Sequence, residues 1–213
     1  MTPFPLVLSS PSGGGKSTIA RQLLEARDNL GYSVSATTRA RRGNEVDGSD
    51  YFFLNREDFK HRTEAGEFVE WAEYGGEYYG TLRSELERLY REGRTPVLDI
   101  DIQGARQLKQ EYPETVSVFI LPPSGAELVQ RLKGRKTEPP DAVRRRLERA
   151  MVELDAAGEY DYIVVNDDIV SAVEHVAAIL DAESRRVNRQ PDLMRLLEQL
   201  RREVKEEGLR TKD

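Results

Sequence analysis

Short apolar runs punctuate the chain at Leu6-Val7-Leu8, Val97-Leu98, Val116 to Leu121 and Tyr162-Ile163-Val164-Val165. Runs of this length read as strands buried on both faces, as in parallel sheets. Between them the spacing turns helical, at residues 19–26, 104–111, 125–133 and 142–154. This alternation predicts an α/β core with parallel pairing. One stretch breaks the rhythm. From residue 34 to 81, β-patterned pieces at Tyr32 to Thr38, Tyr51 to Leu54 and Phe68 to Tyr74 are separated by polar loops and by a helix start capped by Asn55. A Gly75-Gly76 turn then leads into Glu77 to Thr81 as a hairpin, and a helix follows from about Leu82 to Arg91. The pattern predicts a small mixed insertion in the core. Near the C-terminus Leu193, Leu196, Leu197, Leu200 and Val204 form one apolar helical stripe, expected to dock on its own domain in preference to a dimer contact.

The 213 residues suit one core domain with insertions. Zero cysteines exclude disulfides, thiolate metal sites and cysteine nucleophiles, and the isolated His61 and His175 cannot make a zinc cluster alone. No run approaches the roughly 18 apolar residues of a membrane span, and the chain shows no basic segment leading into a long apolar one. The expectation is a cytoplasmic protein without membrane contact. A net charge of −6 argues against bulk nucleic-acid binding, so the placement of the arginines matters more than their number.

The first apolar run leads into Ser9-Ser10-Pro11-Ser12-Gly13-Gly14-Gly15-Lys16-Ser17-Thr18 and then a helix. Gly15, Lys16 and Ser17 fill the last slots of the G-x-x-x-x-G-K-[ST] phosphate-binding loop, and Ser10 stands where its first glycine is usual. Glycines let the backbone turn its N–H groups onto phosphate oxygens, Lys16 adds a positive charge, and the helix N-terminus favours anions. The ligand read from this loop is a nucleoside triphosphate. The loop alone leaves ATPase, GTPase, transporter motor and small-molecule kinase open. Asn166-Asp167-Asp168 lacks the lysine of a guanine-reading N-K-x-D element, which argues against a regulatory GTPase. Arginines gather instead at Arg39, Arg41 and Arg42 and at Arg131, Arg135 and Arg144 to Arg146, as two phosphate-bearing ligands would need.

Taken together, S-P-S-G-G-G-K-S-T, S-V-S-A-T-T-R, G-S-D-Y-F-F, F-V-E-W-A-E-Y, Y-Y-G-T, L-D-I-D-I-Q-G, I-L-P-P-S and I-V-V-N-D-D resemble the guanylate kinase family from about Leu6 to Arg185. The resemblance implies a three-layer α/β/α fold of the P-loop nucleoside monophosphate kinase type with a central parallel sheet. Its core would comprise residues 1–33, 95–129 and 155–213, with a GMP-binding insertion at 34–94 and a helical lid at 130–154. The implied reaction is Mg²⁺-dependent transfer of the ATP γ-phosphoryl group to GMP, and to dGMP, by a monomer or homodimer. ATP would be held by Ser10, Pro11, Ser12, Gly13, Gly14, Gly15, Lys16, Ser17 and Thr18, with Arg131 and Arg135 from the lid and Asn166 at the adenine. Ser17 and Asp99 would serve the metal. Arg39, Arg42, Tyr51 and Tyr79 would clamp the GMP phosphate, Ser35, Glu70 and Thr81 would read the base, and Asp101 would assist at guanine or ribose. Lys16, Arg39, Arg135 and Arg146 are the residues implied for chemistry, which here means neutralising charge and aligning atoms rather than supplying a strong base.

The sequence departs from the family pattern at Ser10, at Arg41 where proline is common, and at Lys136 where glycine is usual. Other readings fit these motifs less well. A kinase of a phosphorylated sugar such as ribose bisphosphate needs no guanine reader, which Glu70, Ser35 and Thr81 supply. A phosphopeptide-binding scaffold of the same family has no use for Lys16, Ser17 and the lid arginines. A nucleic-acid binder would interleave stacking aromatics with its arginines, and this chain does not.

Overall fold

The computed structural model describes residues 3–133 and 140–210. Its centre is a five-stranded, all-parallel sheet in the order β2-β7-β1-β8-β9, built from β1 (Leu6–Ser9), β2 (Leu30–Tyr32), β7 (Thr95–Asp99), β8 (Val116–Leu121) and β9 (Tyr162–Val165). Side chains alternate across it. Leu6, Leu8, Val97, Val118 and Val164 pack on one face against α1 (Lys16–Ala26) and α7 (Ile169–Ser184), through Ile19, Leu23, Ala172 and Val176. Val7 and Leu98 point the other way, onto Leu86 of α3 (Arg83–Arg91) and Ala105 and Leu108 of α4 (Ile102–Glu111). The expected three-layer α/β/α architecture is therefore present, with α3 packed on the central sheet.

The insertion forms its own sheet, in the order β4-β3-β6-β5, from β3 (Ser35–Thr37), β4 (Phe52–Phe53), β5 (Phe68–Tyr74) and β6 (Glu77–Leu82). It is mixed: β3 runs parallel to β4 and antiparallel to β6. Phe59 of α2 (Arg56–Glu64) fills its small core with Ala36, Phe68 and Leu82, stacking on Phe68 at 4.4 Å between ring centroids. Asn55 caps α2 by accepting from the Asp58 N–H, as its position predicted.

Two expectations are corrected. Tyr32 to Thr38 reads as one strand, but the chain leaves the central sheet after Tyr32 and enters the second sheet at Ser35. Tertiary hydrogen bonds make the break: the Ser33 N–H donates to the Val97 carbonyl at 3.0 Å and the Val34 N–H to the Glu85 carboxylate at 3.2 Å. The C-terminal stripe does not dock on its own domain either. In α8 (Leu193–Arg210), Leu196, Leu200 and Val204 are 51%, 46% and 72% exposed. Helices α5 (Gly125–Lys133) and α6 (Pro140–Asp155) pack on each other through Leu128, Leu132, Leu147 and Ala150. No helix among the described residues is long and apolar enough to cross a membrane.

Candidate nucleotide site

The site begins where β1 ends. β1 lies between β7 and β8, and Leu8 pairs with Asp99, so the loop leaving β1 emerges beside the carboxylate that closes β7. Gly13 and Gly15 take positive φ values of 87° and 94°, which turns the loop into the N-terminus of α1. Lys16 Nζ sits 2.5 Å from Asp99 Oδ1, and the Ser17 hydroxyl donates to Asp99 Oδ2. Burial works against the Lys16 charge, but Asp99 more than offsets it and the lysine pKa lies above its ordinary value. The ammonium is therefore present throughout the neutral range. Ser17 and Asp99 present hard oxygens side by side, a donor pair suited to Mg²⁺ when phosphate oxygens and water complete the shell. No group of three or more His, Cys, Asp or Glu among the described residues could hold a metal by itself.

From this corner a cavity of about 350 Å³ runs into the insertion, lined at one end by Lys16, Ser17 and Asp99 and at the other by Ser35, Glu70 and Tyr79. Tyr51, Tyr74 and Asp101 complete its walls. Strand register brings the far end together. Thr81 of β6 pairs with both Ser35 of β3 and Glu70 of β5, which sets the three in one row across the sheet. The Thr81 hydroxyl donates to Glu70 Oε1 at 2.6 Å. Glu70 is only 4% exposed, and burial pushes its carboxyl up to about 7, with the nearby Asp101 adding and the Thr81 bond opposing. Gly104 makes room for it: a Cβ there would lie 2.5 Å from Glu70 Oε2. Asp101 caps α4 by accepting from the Gly104 N–H at 2.9 Å, so the cavity floor and the helix start share a residue.

Arg39 lies beside this cavity with its guanidinium 5.2 Å from the Tyr51 ring centroid. Its Nη1 and Nη2 donate to the Glu45 carboxylate at 3.0 and 2.7 Å, and Glu45 also accepts from the Arg42 N–H at 2.7 Å. The Arg39 partner holds the Glu45 carboxyl below the usual carboxylate range. The Arg42 side chain is exposed, and Arg41 donates to the Glu45 carbonyl, fastening the loop. Ser10 turns its hydroxyl onto the Pro11 carbonyl at 2.9 Å. Beyond Pro11, the Ser12 N–H donates to Glu153 of α6 at 2.9 Å. Thr18 continues α1, its N–H donating to the Gly15 carbonyl at 3.1 Å.

Arg131 of α5 and Arg146 of α6 lie near the loop. Arg146 donates to the Leu132 carbonyl at 3.1 Å and reaches the Ser12 hydroxyl at 3.4 Å. Arg131 pairs with Glu127 at 2.9 Å and reaches the Asn166 carbonyl at 3.4 Å. Asn166 is buried, and its amide donates to the Gly14 carbonyl at 2.9 Å, bracing the loop from beneath. Arg135 and Lys136 lie outside the described residues. Glu45, Tyr74, Arg149 and Glu153 were not singled out from the sequence. Glu45 stands three residues past Arg42, a spacing that suggests a loop contact, whereas the Glu153 partner is 141 residues away and leaves no local signal.

The guanylate kinase family model matches residues 2–183 of the chain. The chain belongs to the guanylate kinase family. Similar curated members include the guanylate kinase of Desulfitobacterium hafniense (strain Y51), 46% identical over 186 residues that cover 87% of this chain and 93% of that protein. The guanylate kinase of Rhizobium meliloti (strain 1021) is 49% identical over 189 residues, covering 88% and 86%. Among solved structures, the guanylate kinase from Anaplasma phagocytophilum superimposes with a TM-score of 0.77 at 39% identity, covering 93% of this chain and 95% of that one. In this chain Ser35 and Glu70, in one row with Thr81, and the corner Lys16, Ser17 and Asp99 line one cavity.

Proposed function

We propose that this chain transfers the γ-phosphoryl group of ATP to GMP, giving ADP and GDP. The observation that carries this reading is the single cavity joining the phosphate-loop corner at Lys16 to the buried carboxylate of Glu70. A carboxylate can accept from guanine N1–H and the exocyclic amine together, and adenine offers no such pair of donors. The loop N–H groups and Lys16 hold the donor phosphates. Arg39, Tyr51 and Tyr79, joined by Arg42, supply charge-assisted and hydroxyl donors to the acceptor phosphate dianion. Ser17, with Asp99, would hold Mg²⁺, which would supply neutralisation of phosphate charge. Both substrates are polyanions, so the chain's cations must offset their repulsion while the cavity aligns acceptor oxygen and γ-phosphorus. Arg146, with Arg131 and Arg135, belongs to the donor side, and its approach to the loop supports a role at the transferring group.

The test is an assay of ADP release from Mg-ATP with GMP, dGMP, AMP, UMP and ribose bisphosphate as acceptors. GMP is expected to be the preferred acceptor and dGMP to be used. Turnover with AMP or ribose bisphosphate but not GMP would overturn the reading.

A further inference from the structure

Helix α6 reaches both the phosphate loop at Ser12 and Tyr74 of the insertion with one face. Positions 146, 149 and 153 are spaced i, i+3 and i+7, which stacks their side chains along one side of a helix. Two of them grip the phosphate loop at Ser12: Glu153 accepts from its N–H and Arg146 approaches its hydroxyl. The third points to the acceptor side. The Arg149 guanidinium carbon lies 4.2 Å from the ring centroid of Tyr74, the last residue of β5.

Tyr74 lines the acceptor cavity and belongs to a run of aromatic contacts inside it. Its ring meets Tyr79 edge-on at 6.3 Å, Tyr79 meets Tyr51 edge-on at 6.1 Å, and Tyr51 carries the Arg39 guanidinium. The Arg149 contact is not part of a packed core. A second cleft, of about 450 Å³, separates Glu73 and Tyr74 from Val152 and Glu153 of α6, and Arg149 reaches over it. A single exposed cation–π contact adds little to folding, but here it joins the two sides of this cleft.

We propose that Arg149 is a positioning residue that latches the acceptor unit to α6 through the face of Tyr74. The helix that grips the phosphate loop then also sets the wall against which the acceptor lies. This inference rests on the reading of the cavity as a GMP site. Arg149 does not itself line that cavity. Its effect is to hold Tyr74, and through Tyr79 and Tyr51 the phosphate clamp, at the distance from the loop that transfer needs.

A double-mutant cycle on steady-state kinetics tests the latch, with GMP and Mg-ATP varied separately in wild type, Arg149→Ala, Tyr74→Leu, the double variant and Tyr74→Phe. An exposed cation–π contact corresponds to about a two- to fivefold effect. Each single disruption should raise KM for GMP by that factor with KM for ATP unchanged. The double variant should be no worse than the more impaired single, and Tyr74→Phe, which keeps the ring, should match wild type. Additive losses, or a neutral Arg149→Ala, would overturn the latch. Should Tyr74→Leu fail to fold, Arg149→Lys against Arg149→Met decides, because the variant that keeps the charge must stay closer to wild type in KM for GMP. Wild type that forms no GDP from GMP contradicts the proposed activity itself, whereas an active wild type with an additive cycle contradicts only the latch.

Discussion

At Glu70, burial and ligand recognition pull in opposite directions. Removal from water raises its pKa to about 7, while the guanine contact proposed for it requires the carboxylate. Below that pH the free protein holds a neutral carboxyl that offers one good acceptor where guanine presents two donors. KM for GMP should therefore fall by up to about tenfold per pH unit on the acid side and level off above pH 7, with KM for ATP showing no matching change. Initial rates at limiting GMP from pH 5.5 to 8.5 check this, and a GMP KM flat across that range contradicts it. The same shift has a sign for stability. The native state binds the Glu70 proton more tightly than the unfolded chain does, so the Glu70 contribution to stability is lost as pH rises from the ordinary glutamate value of 4.5 to about 7. The F-V-E-W-A-E-Y string singled out this residue. Its burial was not legible there, because the Gly104 that makes room for it comes from a distant helix.

Among the elements, the bounds of β8, β9 and α5 were legible to the residue, since continuous apolar stretches and helical spacing are properties of the local sequence. But β9 is not buried on both faces as its apolar run suggested: it is the edge strand, with Ile163 and Val165 exposed. The passage through Ser33 and Val34 was not legible, because its hydrogen-bond partners at Val97 and Glu85 are remote in the chain. The phosphate loop shows the same division. Its glycines announce the turn, but the Asn166 amide that braces the Gly14 carbonyl is contributed by the far end of the sheet. Asn166→Ala strands that carbonyl without its partner, which should cost about 1–3 kcal/mol of stability and raise KM for ATP more than KM for GMP. Chemical denaturation and steady-state kinetics measure the two effects, and unchanged stability with an unchanged KM for ATP counts against the brace.

Across the whole molecule, Val69 of β5 packs with Val7 and Leu98 in a cluster shared with the central sheet, while the insertion sheet and the α5–α6 pair also have apolar clusters of their own. The insertion is also tethered to α4, where Gln107 exchanges two hydrogen bonds with the Trp71 backbone at 2.8 and 3.2 Å. Helix α8 stands apart from this arrangement, with Met194, Leu196, Leu200 and Val204 exposed. Removing residues 193–213 should leave the thermal midpoint and GMP turnover within experimental error of the full chain, and a large loss of either would show that the helix is packed in solution. The claim on which the rest depends is that one cavity joins a phosphate grip to a guanine reader. Its most direct measurement is the ratio of kcat/KM for GMP to that for AMP in wild type and in Glu70→Ala. The ratio should strongly favour GMP in wild type and drop by about 10³-fold or more in the variant, because a site built around a buried hydrogen-bonding group discriminates by amounts of that order. A ratio that survives the substitution unchanged would contradict the account.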